Sequence, residues 1–111
     1  MVKNTPKLNQ IVERYREELA RLGIHVTAMF LYGSYARNAH HEGSDIDFIV
    51  VSPDFARLNR RERLELLGTA AARILEPIQA YGLTPQEIEQ HTLAPFWSDV
   101  LEHEAVPVYV H

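Results

Sequence analysis

The segment from Leu31 to Val51, LYGSYARNAHHEGSDIDFIVV, concentrates the residues able to do chemistry. It holds Gly33-Ser34, a ten-residue spacer, and then Asp45-Ile46-Asp47. Side chains on a strand alternate between faces, so Asp45 and Asp47 project from the same side. Two adjacent carboxylates repel one another unless a cation holds them, and hard oxygen donors of this kind suit Mg²⁺ or Mn²⁺. Gly33-Ser34 supplies the complementary half. It follows a buried strand and opens a helical turn, where backbone N–H groups point outward and glycine lets a phosphate approach the chain. The Ser34 hydroxyl and the Arg37 guanidinium add charge-assisted contacts to the same phosphates. A phosphate cradle facing a metal-binding acid pair is equipment for phosphoryl or nucleotidyl transfer.

Either half alone is most often a plain turn or a solvated acid pair. Their combination is rarer: at ordinary composition the four-residue pattern arises by chance in about one chain per thousand of this length. Flanking apolar strands make it rarer still.

Those strands belong to an alternating pattern. Thr5 is placed to cap a helix with Pro6 in its first turn, and Leu8, Ile11, Val12, Tyr15, Leu19 and Leu22 follow at three- and four-residue steps. A short apolar run to Tyr32 predicts a buried strand, Ser34 to Ala39 a short helical turn, and the polar stretch from Asn38 to Ser44 a loop. A second strand is expected over 45–51. A helix follows over 59–75, with Leu64, Leu67, Ala71, Ile74 and Leu75 facing inward. Glu76 to Tyr81 is short and extended, and Pro77 favours an edge position. Thr84-Pro85-Gln86-Glu87 has capping-box spacing, Phe96 to Leu101 marks a last helix, and Val106 to Val110 an edge strand. The fold class expected is α/β or α+β: a small mixed sheet of about three or four strands covered by helices.

Composition sets the surroundings. With 111 residues, 46% hydrophobic and 23% charged, the chain is expected to form one globular domain over residues 1–111. Such a length leaves no room for a separate acceptor-binding domain, so the acceptor is expected from outside. Eleven Lys+Arg against fifteen Asp+Glu give a net charge of −4, which disfavours bulk binding to nucleic acid. Without cysteine there is no disulfide, thiolate nucleophile or zinc–thiolate site. No secretory signal or membrane-length apolar run is present, so the expected setting is cytoplasmic. His40 and His41 are read as loop residues without metal-ligand spacing. Arg57, Arg60, Arg61 and Arg63 are read as a solvated helix face, and Phe96 and Trp97 as core or dimer contacts.

The run GSYARN, the ten-residue spacing and SDIDFIVV resemble the signature of the DNA polymerase beta-like nucleotidyltransferase superfamily. The resemblance is nearest to its minimal nucleotidyltransferases (MNT), small domains that act as antitoxins beside helical HEPN-type partners. It implies a two-metal Mg²⁺ site in which Asp45 and Asp47 bridge the ions, while Glu76, opening EPIQAY, serves as a third carboxylate. Gly33, Ser34 and Arg37 would hold the triphosphate of ATP or another NTP. Asn38 stands where such proteins often carry glycine; Asn tolerates positive φ. The implied activity is transfer of a nucleoside monophosphate, AMP from ATP, to an acceptor hydroxyl such as a tyrosine of a HEPN-type toxin. The alternative is a catalytically weak module that binds nucleotide or partner and neutralises the toxin by occlusion. A homo-oligomer is compatible with either.

Overall fold

The computed structural model describes residues 6–41 and 43–111; Thr5, expected as a helix cap, lies outside the described residues. Helix α1 (Pro6–Arg21) leads into strand β1 (Ala28–Tyr32), the four-residue α2 (Gly33–Ala36) and strand β2 (Ile46–Val51). Helix α3 (Arg60–Arg73), strand β3 (Ile78–Leu83), helices α4 (Pro85–Glu89) and α5 (Pro95–His103), and strand β4 (Val106–Val110) complete it. The four strands form one mixed sheet in the order β3-β2-β1-β4. β1 runs antiparallel to β2 and β4, whereas β2 and β3 are parallel.

The alternation along β2 sorts the core into two layers. Ile46, Phe48 and Val50 face α1 and α3, joining Tyr15, Leu19, Met29, Leu67 and Ala70. Ile49 and Val51 face the other way, against Leu83, Val100 and Trp97 from the α4–α5 side. By the same period-two rule Asp47 belongs to the α4–α5 face. The register fixes its neighbours: Asp47 lies opposite Tyr32 on β1 and Gln79 on β3.

Local chemistry sets the ends of these elements. The Asn59 and Thr84 side chains each accept a hydrogen bond from the backbone N–H three positions on, and the Glu62 and Glu87 carboxylates accept one from the cap residue's N–H. Both are capping boxes. Asn38 has φ 57, the left-handed conformation that its side chain tolerates. Between β2 and α3 the chain makes a 3-10 turn, Pro53–Arg57, that the sequence reading did not anticipate. It inserts Phe55, fully buried, against β3 at Gly82, where a Cβ would sit 3.0 Å from the ring. So short an element leaves no hydrophobic period to read.

Three expectations need correction. Leu75 does not face inward: beyond the C-cap Ile74 it takes φ 56, turns out of the helix and is 88% exposed. Leu64 is half-exposed, one turn before the buried stripe, and borders a groove of about 240 Å³ beside β3. The basic residues also divide. Arg61 is solvated, but Arg63 turns inward, its side chain only 13% exposed.

No described helix is long and apolar enough to cross a membrane.

Candidate active site

The acid pair sits where three strands end together. Asp47 is the second residue of β2, and Asp45 immediately precedes that strand. Gly33 follows the last residue of β1 and begins α2 with φ +73, a conformation that strains any residue with a side chain. The reason for glycine is sharper than a phosphate's approach. A Cβ on Gly33 would lie 2.3 Å from Oδ2 of Asp47 and 3.2 Å from its Cγ. The Asp47 carboxylate therefore rests against the backbone of the Gly-Ser turn. The two halves of the motif, ten residues apart in sequence, form one site.

The turn itself is short and closed by local bonds. The Arg37 N–H donates to Gly33 O at 3.2 Å and the Ala39 N–H to Ser34 O at 2.8 Å. Tyr35 and His40 stack with ring centroids 4.0 Å apart and planes within 4°, tying the end of the motif to the following loop.

Charge is unbalanced at the acids. Burial, then the neighbouring Asp45 carboxylate, holds the Asp47 carboxyl above its ordinary value; Arg37 opposes this shift and Glu104 adds to it. Tyr32 responds in the same direction. Burial foremost, then Asp47 and Glu104, push its hydroxyl up to about 12, so it stays a neutral phenol. A divalent cation would supply the charge that such a place lacks. Mg²⁺ commonly binds through one or two carboxylates and completes its shell with water and substrate phosphates, so this donor set fits it.

The third carboxylate is another matter. Glu76 precedes β3 by two residues and faces Arg14 of α1, with Nη1 3.7 Å from its Oε2. Gln79 is the residue in register with Asp47, and its Nε2 donates to Oδ2 of Asp45 at 2.9 Å. The strand's alternation explains the difference: Ile78 and Ala80 turn toward the α1–α3 layer, Tyr81 toward the opposite one. Glu76, three residues before Gln79, is not brought to Asp45 and Asp47. Among the described residues no group of three or more His, Cys, Asp or Glu side chains is assembled to hold a metal.

The other sequence candidates are placed as follows. Gly33, Ser34 and Arg37 lie on or immediately after α2, beside the acids. Arg37 forms an ion pair with Glu104, the C-cap residue of α5, through Nη1 and Oε1. Trp97 is part of the α4–α5 layer, stacked on Tyr81 at 4.0 Å and edge-on to Tyr32 at 5.5 Å. Phe96 is 61% exposed and meets Trp97 edge-on. Two residues near the acids stand outside the candidates read from the sequence, Gln79 because a neutral amide is a poor metal ligand. Gln79 was legible in principle from strand alternation; Glu104, 67 residues from Arg37, carried no signal. A cavity of about 310 Å³ lies away from all of these, between α1 and the end of β4 beside Arg16 and Tyr109.

The sequence matches the family model described as a nucleotidyltransferase domain over residues 12–103. A search of curated proteins returned no match. Solved structures share the fold at low identity. A toxin–antitoxin crystal structure with AMP-PNP aligns at TM-score 0.61 and 20% identity, over 89% of this chain and 73% of that one. A Sulfolobus solfataricus protein provisionally assigned as a nucleotidyltransferase aligns at TM-score 0.64 and 17% identity, over 95% and 82%. A tri-AMPylated Shewanella oneidensis HEPN toxin in complex with its MNT antitoxin aligns at TM-score 0.56 and 19% identity, over 93% and 73%. The family match covers most of the chain and contains the Gly33-Ser34 turn, the Asp45–Asp47 pair and the sheet that joins them; the chain belongs to the nucleotidyltransferase domain family, and its enzyme class is nucleotidyl transfer.

Proposed function

We propose that this chain is a metal-dependent transferase, one domain over residues 1–111, that moves AMP from ATP to an acceptor hydroxyl. The acceptor we infer is a tyrosine of a HEPN-type toxin partner, which makes the chain an antitoxin. The observation that carries the reading is the contact of the Asp47 carboxylate with the Gly33 turn, because a metal on the acids would then lie beside a phosphate on the turn's backbone. In this reading Asp45 and Asp47 hold Mg²⁺, and Gly33, Ser34 and Arg37 hold the triphosphate. Asp45 and Asp47 would hold the Mg²⁺, whose charge would lower the pKa of an acceptor hydroxyl and offset that of the departing pyrophosphate. The acceptor oxygen forms a bond to the α-phosphorus, the bond to pyrophosphate breaks, and the hydroxyl proton leaves to solvent. The protein's own part is placement and charge. Glu76, implied as a third ligand by family resemblance, is paired with Arg14, so the reading rests on two carboxylates. The AMP-PNP and AMPylated-toxin complexes with the same fold support the choice of nucleotide and partner.

One observation favours the rival, a weakly catalytic binding module: an amide, Gln79, stands beside Asp45 where a further acid would strengthen metal binding. Incubation with Mg²⁺, ATP and a HEPN-type partner separates the two. Transfer predicts pyrophosphate release and a partner mass raised by whole AMP units, lost when the acceptor tyrosine becomes phenylalanine. A neutralised partner of unchanged mass supports the binding module and refutes the transferase.

A further inference from the structure

Arg37 is exposed enough to meet solvent and ligand, with 58% of its side chain accessible. A long cation in that position ordinarily samples many rotamers, and ordering it on a phosphate costs entropy. Here one arm is already held. Its Nη1 donates to Oε1 of Glu104, whose side chain is only 28% exposed. Glu104 is itself fixed: its N–H donates to Val100 O at 3.0 Å, and the Ala105 N–H to the same oxygen at 2.8 Å. Val100 is buried against the sheet, so the carboxylate is mounted on a packed helix end.

A guanidinium carries five N–H donors in a rigid fork. Occupying Nη1 leaves donors on the remaining edge for a second oxyanion. The charge arrangement argues the same way. A bare Glu104 would add a third negative group near Asp45 and Asp47 and repel a triphosphate; paired with Arg37 it becomes a mount for the cation.

Building on the transferase reading, we propose that Glu104 is the positioning residue of the nucleotide site, anchoring Arg37 so that its remaining N–H groups face the incoming triphosphate. An ordinary surface ion pair has no consequence for nucleotide affinity, so the two ideas part in kinetics. With the HEPN-type partner as acceptor and pyrophosphate release as the assay, E104A raises KM for ATP by about three- to tenfold and leaves kcat within about twofold. E104Q keeps an acceptor oxygen and restores most of that loss. R37A raises KM similarly, and R37A/E104A is no worse than R37A alone, because both remove one unit. An unchanged KM in E104A, or a double variant whose losses multiply, overturns the anchor. Calorimetric binding of Mg²⁺–ATP reads the same pattern without turnover. A wild type that binds nucleotide but releases no pyrophosphate sinks the transferase reading alone; E104A binding like wild type sinks the anchor alone. A wild type that binds no nucleotide sinks both.

Discussion

Replacing Asp47 by Asn is expected to reduce nucleotidyl transfer on the order of 10³-fold while leaving the protein as stable as before, or more so. The activity loss follows from removing one of two carboxylates that the proposed metal site depends on. The stability effect follows from the shifted carboxyl. Burial and Asp45 raise the pKa of Asp47 in the folded protein, so the ionised form is disfavoured there relative to the unfolded chain. A group raised in this way lowers stability as pH climbs through the interval between its unfolded and folded values. Wild type and D47N should therefore converge in acid, where both are neutral, and diverge in favour of D47N once the carboxylate ionises. Thermal denaturation across that range, beside a pyrophosphate assay, checks both halves.

Gly33→Ala should reach a similar functional end by a different route. Its Cβ would have to share space with Asp47 Oδ2 at 2.3 Å, so the carboxylate must give way by about an ångström. Misplacement on that scale can cost on the order of 10²-fold. The positive φ adds about 1–2 kcal/mol of strain, so G33A is destabilised where D47N is not. Full activity in G33A would mean that the carboxylate does not need its contact with the turn.

The second large effect concerns the scaffold. Arg63→Ala is expected to destabilise the protein by about 3 kcal/mol, lowering the midpoint of thermal unfolding by about 10–20 °C. Its Nε donates to Phe55 O and Leu58 O at 3.1 and 3.2 Å, and Nη1 to Gly82 O at 3.1 Å. Nη1 and Nη2 meet the two Glu87 oxygens at 3.0 and 3.3 Å. One side chain thus joins the 3-10 turn, β3 and the start of α4. Removing it takes a donor from three carbonyls and a carboxylate at once, although Phe55 O keeps the Leu58 N–H and Glu87 Oε1 the Thr84 N–H. Burial works to raise the Glu87 carboxyl, but Arg63 and the Thr84 N–H outweigh it and hold it below its ordinary value. A lowered carboxyl stabilises the fold above its unfolded pKa and loses that contribution as pH falls through the folded one. The gap between wild type and R63A should narrow accordingly in acid. Arg63→Lys should recover little, since a single ammonium cannot span these acceptors.

How far the sequence reaches is clear from particular residues. The α1 stripe, β1, β2, the Thr84 capping box and β4 were legible because period and cap chemistry are local; the Asn59–Glu62 box came only with the structure. That the Gly33-Ser34 turn and the Asp45–Asp47 pair lie together was legible because their spacing is a pattern in one segment. Glu76 was expected beside the acids from its position in the chain, whereas the structure pairs it with Arg14 and puts Gln79 in register with Asp47. Arg63 was hidden among arginines of the same composition and opposite burial. Glu104 depends on α5 packing back across the sheet, a long-range event that no window of sequence contains.

The hydrogen bond from Gln79 to Asp45 has an evolutionary consequence. Codons for glutamine and glutamate differ by a single base, and the two side chains differ by an NH₂ for an oxygen. At this position that exchange would turn a donor that steadies Asp45 into a third like charge. Without a cation it would be a burden on folding; with one it would be a gain in metal affinity. The lineage of this chain stands one mutation from a more strongly acidic site, at a residue whose neighbours already hold it in register.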